Sequence, residues 1–244
     1  MTTVLAIGDR DPRQLTHREL DAAFAQIRAL SGDRIDCGWI ASDSTEARAL
    51  DRADGIWLLP GSPYRDDVAA DAAIAHCLRT GTPFLGTCAG FQYACVELAR
   101  MRAGRPDAAH AEREPDAADP VVERLACSLF GERRTVTPVP GTRLASICGE
   151  APFEGFHWCG FGLAPAGAET LRLAGITLSA HAPDAGVEAI ELPDHPFFIA
   201  TAFQPQVGAS AGDDLHPLIT AFLDAAAAHA ARPSGVVAGA PDAV

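Results

Sequence analysis

The pentapeptide Gly86-Thr87-Cys88-Ala89-Gly90 follows a short apolar run, Pro83-Phe84-Leu85, and precedes a helical pattern over 91–100. This order predicts a strand, a sharp turn and a helix, with Cys88 at the turn. A residue held in so tight a turn needs small neighbours, and Gly86 and Gly90 supply them on both sides. A strand feeding straight into a helix belongs to an alternating α/β architecture. The turn lifts the Cys88 side chain above the sheet. The helix behind it offers unpaired N–H groups and a partial positive charge, which favour a thiolate nucleophile and can hold an oxyanion.

The same alternation recurs elsewhere in the chain. Val4-Leu5-Ala6-Ile7, Cys37-Gly38-Trp39-Ile40 and Ile56-Trp57-Leu58-Leu59 are short apolar runs separated by stretches of helical spacing. The expected fold is an open, mostly parallel sheet flanked by helices on both faces. Thr16 and Glu19 read as a capping box opening a helix through about Leu30, with Leu20, Phe24, Ile27 and Leu30 as one apolar stripe. A second helix is expected over 67–79. In such sheets reactive groups gather beyond the carboxyl ends of the strands. Cys88 and the loop Pro60-Gly61-Ser62-Pro63-Tyr64 can therefore face one crevice. The stretch 102–120, rich in Ala, Asp, Glu and Pro, reads as a surface loop placed to cover it. Beyond it, strands are expected over 134–139, 171–179, 187–192 and 197–203, and a last helix over about 216–230. One domain over 1–231 and a disordered tail over 232–244 complete the expectation.

Nineteen basic against 32 acidic residues give a formal charge of -13, which argues against nucleic acid or an anionic membrane and for a small-molecule substrate. The seven cysteines, Cys37, Cys77, Cys88, Cys95, Cys127, Cys148 and Cys159, are odd in number and contain no C-x-x-C pair. That points away from a disulfide framework or a zinc ribbon and toward a reducing compartment. The apolar start is followed at once by Asp9, Arg10 and Asp11, too soon for a signal sequence or a membrane span, so a cytoplasmic location is expected. His157 and Cys159 would share one face of a strand, yet no further ligands stand at a supporting spacing. Neither a metal nor a cofactor is expected.

Together these residues resemble the class I glutamine amidotransferase family, in the form found at the C-terminus of CTP synthase and in stand-alone bacterial proteins related to that region. The likeness runs through Pro60-Gly61, Gly86-Thr87-Cys88-Ala89-Gly90-Phe91-Gln92, Glu97-Leu98-Ala99-Arg100 and 107–112. It resumes at Glu191-Leu192-Pro193-Asp194-His195-Pro196-Phe197-Phe198 and His216-Pro217-Leu218. The resemblance implies a flavodoxin-like, three-layer fold. It implies that Cys88 attacks the side-chain amide of glutamine, forming a thioester and releasing ammonia, with a histidine and a glutamate from a His-Pro-Glu motif completing a triad. Here the matching segment is Phe203-Gln204-Pro205-Gln206, so Gln204 and Gln206 replace that histidine and glutamate. A carboxamide can orient a ligand but cannot take a proton from a thiol near neutral pH.

By the same resemblance Gln92 and Glu112 bind the substrate, and Trp158 falls where an arginine would hold its α-carboxylate. Losing a guanidinium removes a bidentate contact, so the pocket is expected to prefer something other than glutamine. Gly61 and Ser62 stand in the oxyanion loop where a Gly-Gly pair is usual, and with Ala89 they offer the N–H groups of the hole. Pro63 and Tyr64 would narrow the entrance. His110 and His157 are the candidates for a substitute base, while His195 and His216 read as structural. Three functions stay open. One is an enzyme whose Cys88 attacks an amide, nitrile or related C–N carbon, with weak or absent ordinary glutaminase activity. Another is a non-catalytic binding or regulatory module on the same scaffold. The third is a redox sensor in which Cys95 or Cys159 resolves an oxidised Cys88. No synthase region is read in the chain, so the partners weighed are a separate ammonia-accepting protein and a second copy in a homo-oligomer.

Overall fold

Alternate residues of the central strands enter two different cores, which is why these strands read as unbroken apolar runs rather than as polar–apolar alternation. The computed structural model describes residues 1–183 and 185–232. Its strands are β1 Thr2–Ile7, β2 Ile35–Ile40, β3 Gly55–Leu58, β4 Phe84–Thr87, β5 Val122–Arg124, β6 Glu132–Pro138, β7 Phe153–His157, β8 Phe161–Leu163, β9 Thr177–Ala182, β10 Gly186–Glu191 and β11 Phe198–Thr201. Its helices are α1 Leu15–Ser31, α2 Asp67–Thr80, α3 Ala89–Met101, α4 Arg143–Cys148, α5 Pro165–Leu173 and α6 Pro217–Ala230. Nine strands form one sheet in the order β2-β1-β3-β4-β11-β10-β9-β6-β7, and β5 pairs with β8 apart from it. Neighbours from β2 through β11 are parallel. From β11 outward the pairing turns antiparallel.

On one face of the sheet Leu5, Ile7, Ile56, Leu58, Phe84 and Phe198 pack with α2, α3 and α5. On the other, Val4, Ala6, Trp57, Leu85 and Ile199 meet α1, α4 and α6. Each large side chain so buried contributes on the order of 1.5–3 kcal/mol, and the two cores fix the register that brings the ends of β3, β4 and β11 level. The segment after α3 carries no helix and is tied down by charge. Arg100 Nε donates to the Ala108 carbonyl at 3.0 Å, and Arg113 pairs with Asp67 at 3.0 Å while lying 5.0 Å over the Tyr93 ring.

Several expectations change. The stretch 171–179 is divided, since α5 continues to Leu173 and β9 begins only at Thr177, with Gly175 at φ 82° making the break between them. Thr16 is not a cap, because α1 starts at Leu15 behind Gln14. Glu19 turns instead to the Gly208 and Ser210 N–H groups, at 3.1 and 2.9 Å, and anchors a distant loop. The stripe on α1 ends at Ile27, for Leu30 lies on the final turn before the left-handed Gly32 and is 72% exposed. α4, β5, β7 and β8 are further elements, each too short to show a period in sequence. The tail expected over 232–244 lies, from residue 233 on, outside the described residues. Among those described, no helix is long and apolar enough to cross a membrane.

Candidate functional site

β4 ends at Thr87 and α3 begins at Ala89, so Cys88 alone makes the turn, with φ 54° and ψ −102°. A non-glycine residue in such a conformation costs roughly 1–3 kcal/mol and persists only where its surroundings dictate it. The surroundings here are close. The Cys88 N–H bonds to the Thr201 carbonyl at the end of β11, at 2.8 Å. A Cβ on Gly90 would stand 2.4 Å from the Leu58 carbonyl oxygen, and one on Gly86 would stand 2.7 Å from that of Gly90. Both glycines are demanded by the approach of three backbones, not by flexibility.

Beyond β3, Gly61 has φ 110°, and the N–H groups of Gly61 and Ser62 bond no acceptor among the described residues. Ala89 opens α3, where an N–H is unpaired by position. The loop is fixed from below by His17. Its Nδ1 accepts from the Asp11 N–H at 2.9 Å, so Nε2 carries the proton and donates to the Pro60 carbonyl at 3.2 Å. Burial pushes the His17 pKa down, in keeping with a neutral ring.

A cavity of about 410 Å³ opens over Cys88. Of the residues expected at the site, Gly61, Ser62, Cys88, Gln92, Glu112, Trp158 and Gln204 line it, joined by Thr16, Arg124 and Cys159. Cys88 is 5% exposed, and its Sγ donates to the Trp158 carbonyl at 3.7 Å. The half-exposed Trp158 ring stacks beside Phe156 and meets Phe130 edge-on, forming an aromatic wall. One carboxylate oxygen of Glu112 is buried without a partner among the described residues. The Arg124 guanidinium lies 4.9 Å over the Phe161 ring, and no ion pair engages it among the described residues.

His110 is brought to the site but not as a base. The Glu112 N–H donates to its Nδ1 at 3.1 Å, so Nε2 carries the proton and donates to Gln92 Oε1 at 3.1 Å. With its lone pair occupied, the ring has no capacity to accept a substrate proton. Burial and the nearby Arg113 charge push its pKa down to about 4. Gln92, whose Nε2 donates to the Phe161 carbonyl at 2.9 Å, is braced on both sides. His157 contributes nothing to the cavity wall: it is wholly buried, with Nε2 2.8 Å from Glu188 Oε2 and Nδ1 unpartnered among the described residues. Tyr64 does not narrow the entrance either. Its ring is buried against Tyr93 and its hydroxyl is spent on the Leu59 carbonyl. Gln204 reaches the cavity while Gln206 lies behind it, Nε2 donating to Gln204 Oε1 at 2.8 Å.

The sequence reading missed Arg124, His17 and Glu188. Arg124 sits on a three-residue strand with no periodic signal. Glu188 did leave a trace, as an acid between the apolar Val187 and Ala189-Ile190 of β10, since an unpaired carboxylate is rarely buried.

Residues 60–206 match the Peptidase C26 family. The chain is 31% identical over 218 residues to the CTP synthase of Methanopyrus kandleri, covering 81% of this chain and 40% of that protein. It is 33% identical over 213 residues to the CTP synthase of Chloroflexus aurantiacus, covering 79% and 38% respectively. It thus spans about two fifths of the length of these curated relatives. Among solved structures, the glutaminase domain of Trypanosoma brucei CTPS with bound acivicin superposes with a TM-score of 0.80 at 24% identity, covering 93% of this chain and 94% of that one. A glutamine amidotransferase from Thermotoga maritima gives 0.57 at 17% identity, covering 95% and 86%. Both likenesses are of fold.

Proposed function

This chain belongs to the Peptidase C26 family, whose fold is that of the class I glutamine amidotransferases, and on that premise we propose that it is a cysteine enzyme attacking an electrophilic carbon bonded to nitrogen. The observation that carries this reading is the strained Cys88 elbow under a cavity whose rim offers backbone N–H groups. The Cys88 sulfur adds to the carbon of an amide or nitrile. The charge that develops on oxygen or nitrogen faces the N–H groups of Gly61, Ser62 and Ala89. The unpartnered Glu112 oxygen accepts from a ligand N–H, and Arg124 attracts an anionic end, taking over the task that Trp158 cannot perform.

Proton transfer selects the substrate. The Cys88 thiol proton points to a carbonyl, which is no base, and Gln204 and Gln206 are neutral amides. Ordinary glutamine hydrolysis should therefore run roughly 10²- to 10⁴-fold below a complete triad. A nitrile or an activated amide asks less of a base, because its adduct nitrogen or leaving group needs less help.

The test is the intact mass of the reduced protein after incubation with a panel of amides and nitriles. An adduct on Cys88, absent from Cys88→Ala, supports the enzyme. The amide pair Gln204–Gln206 favours a second reading, a binding module without chemistry. Reversible ligand binding with no adduct and no turnover across the panel would select that reading instead.

A further inference from the structure

The cavity floor carries two thiols. Cys88 and Cys159 both line it, and with Leu129 they form a small buried cluster of their own, apart from the two main cores. Cys88 Sγ lies 3.7 Å from the carbonyl oxygen of Trp158, the residue that precedes Cys159. The backbone between β7, which ends at His157, and β8, which begins at Phe161, belongs to neither strand. Cys159 therefore sits on a short connection next to Gly160, its carbonyl held by the Leu129 N–H at 3.0 Å, and its sulfur is brought to Cys88 by turning the side chain alone. We propose that Cys88 and Cys159 are a dithiol site that a hydroperoxide converts to a disulfide, shutting off the nucleophile until a thiol reductant reopens it.

The two sulfurs sense each other. Cys159 is held well above the ordinary thiol range, first by the Cys88 thiol beside it and then by burial. Both thiols line the cavity, and the strained elbow presents Cys88 as the attacking sulfur with Cys159 beside it as the resolving one. The other cysteines are not placed for this. Cys37, Cys77 and Cys95 are buried in the cores, where burial raises their pKa values, and Cys127 and Cys148 lie outside the cavity lining. Cys95, the other resolving candidate read from sequence, is fully buried in the α3 core.

The steps balance. The Cys88 sulfur attacks the terminal oxygen of the hydroperoxide, the O–O bond breaks, and the thiol proton leaves with the departing alcohol or water, giving a sulfenic acid. The Cys159 sulfur then attacks the Cys88 sulfur, the S–O bond breaks, and water leaves with the Cys159 proton. The cavity admits a small hydroperoxide to the first sulfur. This inference does not rest on the amide chemistry proposed above.

The full chain, reduced and then treated with stoichiometric hydrogen peroxide, is blocked with N-ethylmaleimide and mapped by peptide mass. A Cys88–Cys159 linked peptide, two hydrogens lighter than the reduced pair, is the expected product. Cys88 alkylation by iodoacetamide should fall at least about tenfold and return with dithiothreitol. In Cys159→Ser the sulfenic acid on Cys88 should persist and be trapped by dimedone. Peptide mapping of the unaltered protein keeps the outcome independent of how the variant folds. Cys88 left reduced, linked instead to Cys127 or Cys148, or linked to Cys159 no faster than in urea-unfolded chain, would overturn the proposal. Adduct formation with amides in the reduced protein is unaffected by either result, so the two readings stand or fall separately.

Discussion

Gln206 donates from Nε2 to Oε1 of Gln204 at 2.8 Å, with each side chain only 2% exposed. In a working triad a hydrogen bond of this kind joins the base to the carboxylate that orients it. Here the two partners are both carboxamides, which accept and donate hydrogen bonds but do not take up a proton near neutral pH. The pair also leaves Gln204 Nε2 without a partner among the described residues, on a side chain that lines the cavity. A spare amide N–H at that position is a donor waiting for a ligand acceptor.

Restoring the acid–base pair should restore amide hydrolysis. The double substitution Gln204→His with Gln206→Glu is expected to raise ammonia release from glutamine by roughly 10²- to 10⁴-fold, the usual yield of a positioned general base. Gln206→Glu alone should gain little, because a carboxylate without an imidazole orients nothing. Coupled-enzyme detection of ammonia checks this. Equal rates for the double variant and the unaltered chain would mean that a feature other than the missing base limits the chemistry.

The elbow predicts a stability effect with a named cause. Gly90→Ala places a methyl 2.4 Å from the Leu58 carbonyl oxygen and 2.8 Å from Leu58 Cβ, neither of which is the movable end of a long side chain. β3 and α3 must separate, at a cost of about 1–3 kcal/mol. Gly104→Ala, at a glycine with nothing within 4 Å, pays only for its positive φ and serves as the control. Chemical denaturation midpoints compare the two, and a Gly90→Ala midpoint at or above that of Gly104→Ala would show the contact to be harmless.

The parallel strands and their helices were legible because each is long enough, or apolar enough, to declare its period, and because Gly86 and Gly90 bracket Cys88 in the sequence itself. The antiparallel part was less legible. Its elements are short and closely joined, so the end of α5 and the start of β9 fused into one expected strand across Gly175. The roles of side chains were least legible of all. His110 and His157 look alike in sequence, yet one is neutralised by burial beside Arg113 and the other is raised by Glu188, a residue 31 positions away. Tyr64 reads as a rim residue until its hydroxyl is seen to turn inward to Leu59. Long-range hydrogen bonds decide these cases, and single-sequence patterns do not contain them.

Arg124 should impose a preference for anionic reagents. Its guanidinium borders the same cavity as Cys88 and is stacked on Phe161 rather than neutralised by an acid. Iodoacetate should therefore alkylate Cys88 faster, relative to iodoacetamide, than size alone would dictate. Arg124→Ala is expected to lower that ratio roughly fivefold, for about 1 kcal/mol of attraction in a partly hydrated cavity. The effect should shrink in high salt. Parallel labelling rates followed by mass spectrometry measure the ratio, and one unchanged by Arg124→Ala would remove Arg124 from ligand recognition.

The His157–Glu188 pair should make stability depend on pH, and the sign follows from its surroundings. Burial pulls the His157 pKa down, but the hydrogen bond and charge of Glu188 more than offset this and leave it raised. A raised folded-state value means that the stabilisation is complete below the ordinary histidine range, about pH 6.5, and is lost as pH climbs through the folded-state value above it. Glu188→Gln removes one partner of a fully buried pair, at a cost of about 3–5 kcal/mol at low pH, and should flatten the dependence. The consequence reaches the site, because the carbonyl of neighbouring Phe156 receives the Gln204 N–H at 2.8 Å. Loosening β7 should therefore weaken ligand binding near Gln204 before the sheet unfolds. Denaturation midpoints from about pH 6 to 9 for both proteins decide the matter, and identical slopes would mean that the pair holds no charge in the folded state.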